Sequence, residues 1–177
     1  MKTATFLAVI LAGLMLSSFT LYNSIKWEIA DGYSIKFTSK NPEGIFSDFS
    51  GDVHFDPSDL GSSKFDLTIE VSSINTGNGM KNKHAVSPKW FDAEQFPEIR
   101  FVSKSFAQTE SGYAVTGDMA IHGVTKEMTI PFTFENNTFV SNFEVNRTDF
   151  NIGGTKGMSA KAATVLTLDV SVPVTKP

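Results

Sequence analysis

No cysteine occurs in the 177 residues. Disulfides, thiolate metal sites, cysteine nucleophiles and acylation of an N-terminal cysteine are therefore excluded. Histidine is nearly as scarce, with only His54, His84 and His122. No two of them stand at metal-ligand spacing and no H-E-x-x-H motif occurs, so neither a metal centre nor a cofactor is expected. A G-x-S-x-G elbow is missing, which removes support for acyl hydrolysis. The run Gly153-Gly154-Thr155-Lys156-Gly157 does not meet the G-x-x-x-x-G-K-[ST] pattern, and no long helix follows it. Excess basic charge is missing too: the formal charge is -4 at pH 7, so nucleic acid is not an expected partner. Long segments of helical period are also lacking.

One long apolar run is present. Ala4–Leu16 follows Lys2 and precedes Ser17, Ser18 and Thr20, the layout of a cleavable export signal. The run is shorter than the ~20 residues a spanning helix needs, so stable membrane insertion is not expected. The expected division is a signal over residues 1–20 and one domain over 21–177, working in the periplasm or secreted. Phenylalanine is abundant, 16 residues against 2 Trp and 3 Tyr. Phe brings apolar area without a polar tip that must be satisfied, which favours a large apolar interior or one that accepts an apolar guest.

Alternation dominates from Trp27 onward. In Tyr113–Phe132, the residues Tyr113, Val115, Gly117, Met119 and Ile121 share one parity, and Ala114, Thr116, Asp118, Ala120 and His122 the other. After His122-Gly123 the pattern resumes with Val124, Met128, Ile130 and Phe132. Successive strand side chains point to opposite faces, so this is a long hairpin with one apolar side. Similar runs place Ile35 with Phe37, Ile45 with Phe49, Val53 and Phe55, and Phe65 with Leu67, Ile69 and Val71. Ile99 with Phe101, Phe139 with Phe143 and Val145, and Leu166 with Leu168, Val170, Val172 and Val174 complete the set.

Two segments break the alternation. Between Asn75 and Pro97, Ser87-Pro88 reads as an N-cap followed by Pro at the first helical position, which predicts a short helix over Pro88–Gln95. Between Arg147 and Ala163, the glycines predict a flap or crossing. The whole predicts an all-β fold: an eight-stranded antiparallel β-barrel with a short helix in a long loop. A barrel of eight strands either fills with its own side chains or holds one small ligand.

The succession SINTGN (Ser73–Asn78), KNKH (Lys81–His84), WFDAEQFPEIRF (Trp90–Phe101), GDMAIHGVTK (Gly117–Lys126) and NRTDF (Asn146–Phe150) resembles the YceI family. The resemblance spans about Trp27 to Val174. It implies a lipocalin-like barrel in an exported protein, some members of which bind a long polyisoprenoid chain. Where many members carry Arg-Asp before the histidine, this chain has Lys81-Asn82, so position 82 offers no carboxylate. Ala85 and Met119 stand where Leu is common.

The expected pore is lined by Phe37, Phe49, Phe65, Leu67, Ile69, Phe101, Met119, Ile121, Phe132, Phe143 and Leu168. The expected head-group mouth is Lys81, Lys83, His84, Trp90 and Arg147. His54 is expected to be solvated and His122 to bond across its turn. Arg147 and Asp149 are expected to pair with each other or to tie down loop backbone. No catalytic residue is assigned. The leading reading is non-enzymatic binding, carriage or sequestration of an isoprenoid or other long-chain lipid such as a quinone or prenyl phosphate. The alternatives are an isomerase or hydrolase acting inside the barrel, and a filled barrel serving as an interaction module. Monomer and homodimer both remain open.

Overall fold

The computed structural model describes residues 25–177. The expected export signal, residues 1–20, lies outside them. The strand segments are β1 (Lys26–Ile29), β2 (Ser34–Thr38), β3 (Gly44–Phe46), β4 (Phe49–His54), β5 (Lys64–Glu70), β6 (Ile74–Asn75), β7 (Glu98–Thr109), β8 (Gly112–Ile121), β9 (Val124–Glu135), β10 (Thr138–Asn146) and β11 (Val165–Thr175). All pairings are antiparallel. Three pairs of segments, β1 with β2, β3 with β4 and β5 with β6, each form one interrupted stave. The fold is therefore an eight-staved meander, closed where Glu28 meets Thr175 and Ser171 meets Ser34. Closure removes both sheet edges.

The central hairpin is as the alternation predicts. Tyr113 pairs with Phe132 and Ile121 with Val124, and the turn residues His122 and Gly123 both have positive φ, 50° and 74°. A two-residue turn with both φ values positive matches the twist of the strands it joins.

The β3–β4 stave departs from the expected parity. Ile45 points outward, 39 % exposed, and Phe46 points inward, because the ladder breaks at Ser47-Asp48. The Tyr33 hydroxyl bridges that break. It donates to the Ser47 carbonyl at 3.0 Å and accepts from the Phe49 N–H at 3.2 Å. Phe49 and Val53 are then inward again. Ile45→Lys should accordingly change stability by no more than ~0.5 kcal/mol. A thermal melt within about 2 °C of wild type is the expected result.

Inward side chains are apolar, and several of the outward polar groups are paired. Arg100 holds Asp66 by two hydrogen bonds of 2.9 and 2.8 Å, which lowers the carboxyl pKa. Lys104 lies 2.6 Å from Asp118 and 3.0 Å from Glu127. One ladder is short: β9 and β10 pair only from Thr138↔Glu135 to Val140↔Thr133. Pro131 has no N–H to continue it, and the Ser141 hydroxyl donates to the Pro131 carbonyl instead.

The helix of the long loop is not where the Ser-Pro pair predicts. It is α1, Gly79–Ala85, capped by Asn78, whose side-chain oxygen accepts from the Met80 and Lys81 N–H groups at 3.0 Å each. Residues 87–95 form turns: the Ser87 carbonyl accepts from both Trp90 and Asp92, and Asp92 has φ 48°. A left-handed residue at that point ends any continuing helix.

Candidate functional site

Meander connectivity sorts the loops. The 39–43, 76–97 and 147–164 connections and the His122-Gly123 turn lie at one end of the barrel. The other end holds residues 55–63, the tight turns after β7 and β9, and the C-terminus. That second end is closed by aromatic rings. Phe55, 0 % exposed, meets Tyr113, Phe132, Phe134 and Phe139 edge-on at 5.1–5.4 Å. Phe65 and Phe106 pack at tilted angles 6.3 and 6.2 Å away.

Above this plug lies a cavity of about 760 Å³. Phe65, Phe132 and Phe139 form its floor. All eleven residues of the expected pore set line it: Phe37, Phe49, Phe65, Leu67, Ile69, Phe101, Met119, Ile121, Phe132, Phe143 and Leu168. Phe46, Ile74, Ile130, Val145 and Leu166 line it as well. Gly117 is inward where a Cβ would come within 2.7 Å of the Phe101 ring, so its missing side chain keeps that ring in place. The abundant Phe thus has two roles. Some rings line the space, and others close its end.

The mouth is built by three loops that bond to one another. The Ala163 N–H donates to the Asn41 carbonyl at 2.9 Å, the Gly153 N–H to the Lys89 carbonyl at 3.1 Å, and Lys81 Nζ to Asn41 Oδ1 at 3.5 Å. Lys81 and His84, one turn apart on α1, both line the cavity. Lys83 does not. At ~3.6 residues per turn it projects from the opposite side of the helix, and it is exposed. Lys89 and Lys161, which the sequence reading passed over, do line the cavity. No carboxylate lines it among the described residues. Asn82 is occupied locally, its side-chain oxygen accepting from the Thr76 N–H and hydroxyl at 2.9 and 2.7 Å.

Arg147 is 4 % exposed and has no acidic partner among the described residues. Asp149 instead lies 3.7 Å from Lys126, so the alternative of an Arg147–Asp149 pair is not realised. The guanidinium ties down loop backbone. Nε donates to the Ala163 carbonyl at 2.8 Å, one terminal nitrogen to Ile152 at 2.6 Å, and the other to Ser159 at 3.2 Å and Ala162 at 3.3 Å. Burial pulls its pKa below the ordinary guanidinium range. The Trp90 ring lies 5.3 Å from the guanidinium carbon. Gly153, at φ 59°, sits where a Cβ would come within 2.6 Å of that indole. Ser159 also lines the cavity, and its hydroxyl is buried without a hydrogen-bond partner among the described residues.

His122 lies outside the cavity. Its Nδ1 is 3.2 Å from the Phe150 carbonyl, so it braces the β8–β9 turn against the 147–164 loop rather than bonding across its own turn. His54 is half-buried, on the outward side of β4. Among the described residues no group of three His, Cys, Asp or Glu side chains could hold a metal.

These features define the class: a cavity-bearing up-and-down barrel, blind and aromatic at one end and cationic at the other. The chain belongs to the YceI family, since the model of the YceI-like domain matches residues 24–174. A UPF0312 protein of Pseudomonas putida strain W619 is 32 % identical over 160 residues, covering 84 % of this chain and 78 % of that protein. Among solved structures, BcnA of Burkholderia cenocepacia aligns with TM-score 0.73 and 30 % identity over 81 % of this chain and 96 % of BcnA. A polyisoprenoid binding domain from Saccharophagus degradans shares the fold, with TM-score 0.63 and 15 % identity over 88 % of this chain and all of that domain.

Proposed function

We propose that the protein binds one long apolar lipid, of polyisoprenoid type, with the chain in the barrel and the polar head at the mouth. It carries or sequesters that lipid without transforming it, and works outside the cytoplasm. The observation that carries this reading is the cavity: about 760 Å³, apolar over its depth, blind at one end. That volume falls in the range of small-molecule sites, ~300–1,000 Å³. Each buried CH₂ contributes ~0.8 kcal/mol, so ten contribute about 8 kcal/mol before the entropic terms of binding. No strong polar contact is then required. The Saccharophagus domain supports a polyisoprenoid over other chains, and the amino-terminal apolar run supports export.

Lys81, His84, Lys89 and Lys161 suit a phosphate or a quinone carbonyl at the head. Catalysis would need an acid–base or nucleophilic pair at the lining. The serines there do not provide one. Ser87 donates to the His84 backbone carbonyl at 2.6 Å and Ser141 to the Pro131 carbonyl at 2.5 Å, and the Ser159 hydroxyl bonds to no base among the described residues. The test is native mass spectrometry of purified protein, then thermal melts of delipidated protein with added prenyl phosphate, quinone or fatty acid. A bound lipid species, and a melting temperature raised by at least one prenyl ligand, are expected. Melts unmoved by all three, with nothing co-purifying, would sink the reading.

A further inference from the structure

We propose that the mouth docks on an anionic lipid bilayer, and that the barrel takes up or delivers its lipid there. The inference rests on the lipid-binding reading and adds the partner surface.

Charge is divided between the two ends. The three mouth loops carry seven basic residues, of which Arg147 is buried, against four acidic ones, while the rest of the described residues carry seven basic and fifteen acidic. Of those four acids, Asp92 is buried and Asp149 lies beside Lys126. The molecule is thus acidic overall with one basic end, and that end is where the cavity opens. Near an anionic surface the mouth is attracted and the remainder repelled, which orients the barrel mouth-down. An apolar side chain stands among these charges. Met80 on α1 is 70 % exposed, beside Lys81, and is left uncovered among the described residues. An exposed apolar residue flanked by lysines is the pattern of an interfacial contact. A chain that gains from burial in the barrel is insoluble in water, so its source or destination is a lipid phase, and exchange needs the mouth at that phase.

The test uses residues at the mouth that do not line the cavity. The triple variant Lys40→Glu, Lys83→Glu, Lys156→Glu is compared with Lys26→Glu, Lys64→Glu, Lys176→Glu, which makes the same charge change at the aromatic end. Sedimentation with vesicles of phosphatidylglycerol and phosphatidylcholine, against phosphatidylcholine alone, measures partition. Wild type should bind the anionic vesicles at low salt and release at high salt. The mouth triple should bind them at least about tenfold more weakly than the opposite-end triple. Met80→Asp should weaken binding as well. Thermal shifts with a prenyl ligand on the same variants read cavity binding separately, and should survive in the mouth triple. Equal loss in both triples would reduce the effect to net charge and overturn the proposal. No partition by wild type, with ligand shifts intact, would also overturn it and leave an acidic protein as the partner of the basic end. Loss of the ligand shifts in wild type would instead sink the lipid-binding reading.

Discussion

Arg147→Met should lower the melting temperature by about 10 °C. The methionine keeps an apolar stem but removes the guanidinium donors to the carbonyls of Ile152, Ser159, Ala162 and Ala163. Breaking a buried charged network of this kind costs about 3–5 kcal/mol. For a domain of this size each kcal/mol moves the midpoint by ~2–4 °C. The loss should be local as well as global. Residues 151–163 contain no strand, and the guanidinium bonds several of their carbonyls, so their amides should exchange much faster in the variant while those of β7–β9 change little. Arg147→Lys should recover only part of the loss, because one ammonium cannot reach carbonyls on several sides of a planar fork. A melt within 2 °C of wild type and unchanged exchange at 151–163 would show that the loop is held by something else.

How far the sequence carried depends on which interactions decide each feature. Alternation is a local property of the chain, so the long strands β8, β9 and β11 and the inward parity of the eleven residues expected to face the interior were readable. The family resemblance agreed with the fold. Ile45 and Phe46 were not readable, because their parity is set by a break that Tyr33 fills from another stave. The helix expected over Pro88–Gln95 lies instead at Gly79–Ala85, behind a cap nine positions before Ser87. The side-chain bonds of Asn78 and the positive φ at Asp92 decide it, and neither is visible in residue types. That Lys81 and His84 face the cavity while Lys83 stands at the mouth without lining it was not readable either, since the side of α1 that faces the cavity follows from where the helix starts. Lys89 and Lys161 face the cavity through turns whose direction only the folded loops determine. The Phe residues were the hardest, as inward parity does not tell a wall from a plug.

That distinction has a measurable consequence. Phe55→Ala and Phe65→Ala should lose similar stability, about 3–5 kcal/mol each, because both rings are buried among other rings. Midpoints should fall by roughly 10 °C or more. They should differ in response to ligand. Phe65 forms part of the cavity floor, so its removal joins the new void to the binding space. A longer apolar chain can then fill the void, recovering ~0.8 kcal/mol per added CH₂. Phe55 lies beneath that floor and does not line the cavity, so its void stays sealed under Phe132 and Phe139. The measurement is a melt of each variant against saturating prenyl ligands of increasing length. In Phe65→Ala the stabilisation should keep growing past the length at which wild type levels off. In Phe55→Ala it should level off where wild type does. Equal extension in both variants would mean that the aromatic end yields as one unit, and that the floor is not at Phe65.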